Sequence, residues 1–418
     1  MSSVLPFDII AQIIDVVGEN NDTDLLKELS LISHSFLPVC SKHLFATVEL
    51  HDAFPRFHVA SSKKGFVKLL KARPDVLKYV RNLTYKMGAC YRLQSTAAIY
   101  PIVGYDDHDL LPVLPNLLRK ISRLDSLTIV GSKWDWNLLD SSLTSALLYL
   151  IHLPTINHID LSYIQGFPLS SFTPSVNLHR LDVSYLRRFD GPEEVVSSEI
   201  VIQSEMMPKI REFHTSASLP LTTRLLYAKN QDGQPAFDFT DLRRLSIGLE
   251  DELNVRYLLQ NAKSLEKLHL SVGRAQSVAT LYDILSPSAR TLKALDFTVS
   301  IYDCFPLPLA GLCEGLETMA GHNMLESLSF DVLVDEYETE DTVGSDVQGV
   351  EKVLVKPGWS ALRQVSFKVT ISCWGGSAKL YKAVLSLPHK YLSQISTLEF
   401  VSFNFSVAID KCIVGSPG

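Results

Sequence analysis

Twelve histidines, six cysteines and 46 Asp plus Glu supply every residue type that acid–base, nucleophilic or metal chemistry needs, so spacing decides whether any of it is used. No His-Glu-x-x-His pair occurs, and His152 and His158 stand too far from other ligand types to suggest a metal or proton-transfer centre. No Gly-x-Ser-x-Gly turn presents a serine nucleophile, and no glycine-rich loop before Lys-Ser/Thr is shaped to cradle phosphate. Cys373-Trp374-Gly375-Gly376 invites a reactive-thiol reading. It follows the strand-like Phe367-Lys368-Val369-Thr370-Ile371 and precedes a helical stretch, so its glycines read better as a turn. The cysteines (Cys40, Cys90, Cys304, Cys313, Cys373, Cys412) form no Cys-x-x-Cys pair and read as reduced, buried small residues. No catalytic, cofactor-binding or metal-ligating residue is assigned, no cofactor is expected, and the chain is read as a non-enzyme.

What must be positioned is therefore surface. At 418 residues, 46% hydrophobic and 20% charged, the chain has the composition of a well-cored globular protein of two or three domains. A net charge of -7 argues against general nucleic-acid binding. Asp8, Gln12 and Asp15 interrupt the first apolar run and no basic stretch precedes it, so no secretory signal is expected. No apolar run approaches the roughly 18 residues of a membrane span. A cytoplasmic or nuclear location is expected, and the sequons at Asn21, Asn82 and Asn404 are then chance matches.

The first fifty residues organise the rest. Leu5, Ile9, Ile13 and Val17 recur every four residues, Ile10 and Ile14 widen that stripe, Pro6 fits a first helical turn, and Asp8 suits the helix's positive end. After Gly18–Asp24 come Leu25–Phe36 and Leu37–Phe45, giving three short helices. They carry more apolar surface than a bundle of about 45 residues hides by itself.

These residues resemble an F-box, the module that docks a protein onto the Skp adaptor of a cullin-based ubiquitin ligase. The family's opening Leu-Pro, acidic residue and two aliphatics is matched by Leu5, Pro6, Asp8, Ile9 and Ile10, and its Asp-Leu-Leu by Asp24, Leu25 and Leu26. Its Val-Cys-Lys-x-Trp segment is met loosely by Ile32-Ser33-His34-Ser35-Phe36, with Ser for Cys and Phe for Trp. The resemblance covers residues 1–50 and implies an adaptor face of Leu5, Pro6, Ile9, Ile10, Ile13, Leu25, Leu26, Leu29, Ile32 and Phe36. The competing reading is an ordinary helical cap on a larger domain.

A basic connecting segment (51–92) follows. From Arg56 to Arg92 ten Lys or Arg face one acid, Asp75, and Gly65–Pro74 reads as a short helix leading to a strand near Leu77–Tyr85. It resembles the linker before the repeats of fungal-type F-box proteins; charge alone reads it as a solvated face or as a surface for an acidic partner.

Residues 93–418 read as an irregular leucine-rich-repeat-like α/β solenoid, with a first copy already at Val80-Leu83-Tyr85. An aliphatic, two residues, an aliphatic, one residue and an apolar recur there. Copies stand at Leu124-Leu127-Ile129, Ile156-Ile159-Leu161, Leu178-Leu181-Val183, Leu242-Leu245-Ile247 and Leu265-Leu268-Leu270. Others stand at Leu292-Leu295-Phe297, Leu325-Leu328-Phe330, Leu362-Val365-Phe367 and Ile395-Leu398-Phe400, with a degenerate one at Ile210-Phe213-Thr215. Helical stretches lie between them, as at 138–151, 278–285, 309–319 and 378–385, with Pro154, Pro287 and Pro388 as punctuation. The repeat family's Asn is replaced by Ile164, Leu186, Glu250 and Gly273. A doubly wound α/β domain is the alternative architecture. An acidic insertion from Asp331 to Glu351 holds eight acids and no Lys or Arg, and reads as a loop leaving a strand.

The resemblance implies a non-catalytic substrate receptor, binding the Skp adaptor and through it a cullin, with the repeats presenting a protein target. The alternatives are a stand-alone repeat scaffold, whose helices cap the array, and an enzyme on an α/β sheet. No nucleic acid and no membrane is expected as a partner.

Overall fold

The computed structural model describes residues 6–51, 62–87, 113–168, 175–185, 201–202, 207–216, 219–249, 252–272, 281–301, 308–335, 340–373 and 378–411. In chain order the first elements are α1 (Phe7–Glu19), α2 (Thr23–Ile32), α3 (Leu37–Leu44), β1 (Thr47–His51), α4 (Ser62–Ala72), β2 (Asn82–Lys86) and α5 (Leu114–Leu118). Then come β3 (Ser126–Asp135), α6 (Ser141–Ile151), β4 (His158–Gln165), β5 (Arg180–Ser184), β6 (Val201–Ile202), β7 (Glu212–Ser216), α7 (Leu219–Leu226) and β8 (Lys229–Asn230). The last are β9 (Arg244–Gly248), α8 (Glu252–Asn261), β10 (Lys267–Val272), α9 (Leu281–Leu285), β11 (Ala294–Ile301), α10 (Pro308–Met319), β12 (Ser327–Asp335), α11 (Glu340–Leu354), β13 (Gln364–Cys373), α12 (Ala378–Tyr391) and β14 (Ser402–Lys411). The fold is α/β with parallel sheet. It divides into two compact units, 1–208 with 220–237, and 209–219 with 238–418.

In the first unit, β1 to β5 lie side by side in chain order and every pair is parallel. The repeat pattern becomes register: Leu83, Leu127, Ile159 and Leu181 form one row, and Tyr85, Ile129, Leu161 and Val183 the next, all buried. The residues between them, Thr84, Thr128 and Asp160, are half-buried, so one face of the sheet is apolar and the other polar. One backbone device recurs. The carbonyl just before each strand accepts two N–H groups from the next: Ala46 O from Arg81 and Asn82, Arg81 O from Asp125 and Ser126, Asp125 O from Asn157 and His158. A short parallel pair, β6 with β8, stands apart in the same unit.

The second unit repeats the scheme with β7, β9, β10, β11, β12, β13 and β14, again parallel and in chain order. Its buried row ends in a stack of phenylalanines. Phe297 and Phe330 have ring centroids 5.6 Å apart, and Phe330 and Phe367 4.5 Å apart, all three buried. Parallel in-register strands hold identical side chains at about the spacing that offset ring stacking prefers. On the opposite face His269 bridges strands, Nδ1 2.8 Å from Ser246 Oγ and Nε2 2.9 Å from Thr298 Oγ1.

Four expectations change. A strand absent from the sequence reading, β1, extends the array into residues 1–50: Val48 and Leu50 lie opposite Leu83 and Tyr85. Segment 51–92 does carry the expected short helix and strand. It supplies α4, a 3-10 turn (Pro74–Tyr79) and β2, and one of its cations, Lys63, is buried with Nζ 2.6 Å from Tyr85 Oη. The last copy slips: Ile395–Thr397 is a 3-10 turn, and β14 starts at Ser402 with Phe403 and Phe405 opposite Val365 and Phe367. Glu351, buried, meets that turn: its Oε1 accepts from Gln394 N and Ile395 N.

The same residue changes the reading of the acidic stretch. Asp331–Asp335 finishes β12 and 340–351 lies in α11, so most of 331–351 is regular structure. Pro388 sits inside α12 and does not end it, near its last turn, where Ser386 Oγ turns back onto Ala383 O.

Candidate docking surface on the N-terminal helices

The three expected helices form, and their core is small and complete. Ile14 of α1, Leu26 of α2 and Cys40 of α3 are buried against each other, with Ile10, Val17, Leu29, Phe36, Val39 and Leu44 around them. Burial pushes the Cys40 thiol up, favouring its neutral form. Asp22 caps α2, its Oδ1 accepting from Leu25 N at 3.1 Å. The ring of Phe7 packs on that of Phe36 with centroids 6.2 Å apart. Asp15 ties α1 to α3, with Oδ1 2.6 Å from His43 Nε2 and 3.3 Å from Lys42 Nζ. The His43 hydrogen bond is the main reason its carboxyl lies below the usual range.

With that core closed, apolar side chains remain outside. Ile9, Ile13 and Val16 follow one another at helical spacing along α1, and Leu25, Leu31 and Ile32 stand on α2, Leu31 being 86% and Ile32 68% exposed. Of the ten residues expected on the adaptor face, Pro6, Ile9, Ile13, Leu25 and Ile32 are exposed. Ile10, Leu29 and Phe36 are half-buried and pack on the core. Leu26 is a correction: fully buried, it holds the bundle together and faces no partner. Leu5 lies outside the described residues. Phe7, Val16 and Leu31 are exposed as well and were not among the ten. Val16 was findable three residues beyond Ile13; nothing in the local pattern marks Leu31.

Two polar constellations lie elsewhere. In the first unit Ser126 Oγ is 2.9 Å from His158 Nδ1, and His158 Nε2 is 3.1 Å from Asp182 Oδ2, one residue from each of three adjacent strands. Burial drives the Asp182 carboxyl up, but the hydrogen bonds from His158 and Arg180 outweigh it and leave the group lowered. The arrangement is a strand-to-strand tie: Ser126 N is spent on Arg81 O, and Arg180 grips the carboxylate through Nε and Nη2. In the second unit a cavity of about 320 Å³ is lined by Lys263, Glu266, Arg290, Lys293 and Glu326 among others, with carboxylates set among cations and no single-sign well. Among the described residues no His, Cys, Asp and Glu gather as a metal site, and no helix is long and apolar enough to cross a membrane.

The fold and surfaces thus define an α/β protein of parallel strand–helix repeats with a three-helix bundle at its start. No family model matches the chain, and no curated protein matches it.

Proposed function

We propose that this chain is a substrate-recognition subunit of a cullin-type ubiquitin ligase, with α1 and α2 docking the Skp adaptor and the strand–helix repeats presenting a protein target. The observation that carries this reading is the apolar stripe Ile9–Ile13–Val16 with Leu25, Leu31 and Ile32, left outside a bundle whose own core is already complete. Large apolar side chains left exposed in this number on two short helices favour a partner surface. The array is read as an irregular leucine-rich-repeat-like solenoid. In-order parallel strands, one polar face and the repeated two-donor carbonyl support that architecture over a doubly wound sheet, whose strands would be buried on both faces. The chain would hold target and ubiquitin-loaded enzyme close together and perform no chemistry itself.

Co-expression with a Skp adaptor tests the reading: a complex that survives size-exclusion chromatography is expected, and separate elution of the two proteins sinks it. A second reading has one observation in its favour. α3 also packs on the 3-10 turn before β2, as a capping bundle would. If capping is the whole role, deleting residues 1–45 unfolds the array and no adaptor binds.

A further inference from the structure

We propose that β14 is a self-association edge, to which a second copy of this chain adds its own β14, antiparallel, across a two-fold axis at Ser406. The inference is independent of any adaptor docked by the N-terminal helices.

β14 is the last strand of the second unit, and among the described residues β13 is its one strand neighbour. All ten of its residues pair with β13 in unbroken register. Burial shows that its other side is uncovered. Phe367, Val369 and Ile371 of β13 are 0% exposed, whereas their register partners Phe405 and Val407 are half-buried and Ile409 is 45% exposed. Phe400, just before the strand, is 78% exposed. The backbone is open on the same side. Ser402 N bonds Arg363 O, so in a parallel ladder the even-numbered residues turn N–H and C=O towards β13 and the odd-numbered ones turn theirs outward. Monomers guard such edges with proline, charge or a bulge. Residues 402–409 hold no proline and no charged residue, and no bulge interrupts them.

Three features select a second copy as the occupant. Apolar residues fall on odd positions and polar ones on even, so self-pairing about Ser406 sets Phe403 opposite Ile409 and Phe405 opposite Val407. These are aromatic–aliphatic cross-strand pairs on the apolar face, and their outward N–H and C=O groups meet. Antiparallel self-pairing also uses up both edges, whereas a foreign strand or a copy added in parallel leaves a new edge open. The size fits as well. Ten residues span about 33 Å, and a sheet with its helix layer is about 20 Å thick, so the end face is about 650 Å² per copy, near the roughly 800 Å² per partner of a stable interface. That helix layer is present at this end, because α12 packs on β14.

The test is sedimentation velocity of the full chain over about 1–100 μM. At the top of that range wild type should reach twice the 46.6 kDa of one chain. Ile409→Lys, at an exposed position, should raise the dimer dissociation constant about tenfold or more with an unchanged melting curve, because a charged edge resists pairing. Disulfide trapping reads the register. Ser406 is exposed and would face its own copy at a non-hydrogen-bonded position, with Cα atoms about 4.5 Å apart, so Ser406→Cys should cross-link into dimers in oxidised glutathione. Ser402→Cys and wild type, treated alike, should not. A chain that stays monomeric, one that forms open-ended aggregates, or equal cross-linking at 402 and 406 each overturns the proposal. So does an Ile409→Lys chain that folds and associates like wild type. Should that variant unfold, the contrast between 402 and 406 decides.

Discussion

His43 lies across Gly18: a Cβ built on Gly18 would stand 2.2 Å from His43 Cγ, while His43 Nε2 reaches on to Asp15 Oδ1 at 2.6 Å. The glycine is therefore the point where α1 and α3 touch, and the histidine is gripped from both sides. Gly18→Ala must push the imidazole out, at a cost of about 1–3 kcal/mol of bundle stability. His43→Ala in the same chain should return most of that loss. A double-mutant cycle by chemical denaturation measures the coupling, and simple additivity would contradict the contact.

Asp15 also gives the bundle an acid limit. Its pKa is depressed in the folded state, chiefly by the His43 hydrogen bond, so the carboxylate's contribution is present above the unfolded value of 3.8 and is lost as pH falls through the folded one. Asp15→Asn should flatten that acid decline, read by circular dichroism between pH 5 and pH 2 (about the range over which such carboxylates titrate).

His269 works in a different window. Burial lowers its pKa below the ordinary 6.5, opposed by Asp296 and Asp331 and reinforced by His214 and Lys267, while Ser246 and Thr298 occupy both ring nitrogens. The unfolded chain thus binds the proton more readily, and stability should fall as pH drops below 6.5 towards the folded value. His269→Asn should remove part of that slope; an unchanged profile would show that the ring already titrates freely.

Phe330 is the centre of the phenylalanine stack, with Phe297 on one side and Phe367 on the other. Phe330→Ala should cost about 3–5 kcal/mol and lower the melting temperature, because rigid parallel strands cannot close over the cavity. Leu333 on the same strand is half-buried, and Leu333→Ala should cost clearly less.

How much of this was legible in the sequence follows from where the information sits. The copies from Leu83 to Phe367 stood out because a half-buried strand writes its period of two into consecutive residues. The strand Thr47–His51 escaped because its Val48 and Leu50 follow directly on three helices and read as their tail. Ile395-Leu398-Phe400 fitted the spacing as well as Phe403 and Phe405 do; the turn at Ile395 is met by Glu351, 44 positions earlier, and no local pattern carries such a contact. On the N-terminal helices the apolar residues were legible in the sequence but not which of them face inward. Leu26 and Leu25 are adjacent and alike, and only the packing of α3 makes one core and the other surface.

The measurement closest to the central claim is the affinity of the full chain for a Skp adaptor by titration calorimetry, for wild type and for Ile9→Asp with Ile13→Asp. Both side chains are exposed, 40% and 50%, so the charges should leave folding intact. At the centre of a desolvated interface they should weaken binding by about 2 kcal/mol or more, roughly thirtyfold. Binding lost with an unchanged melting curve is the predicted result. Wild type that does not bind, or a double variant that binds as tightly as wild type, would contradict the account.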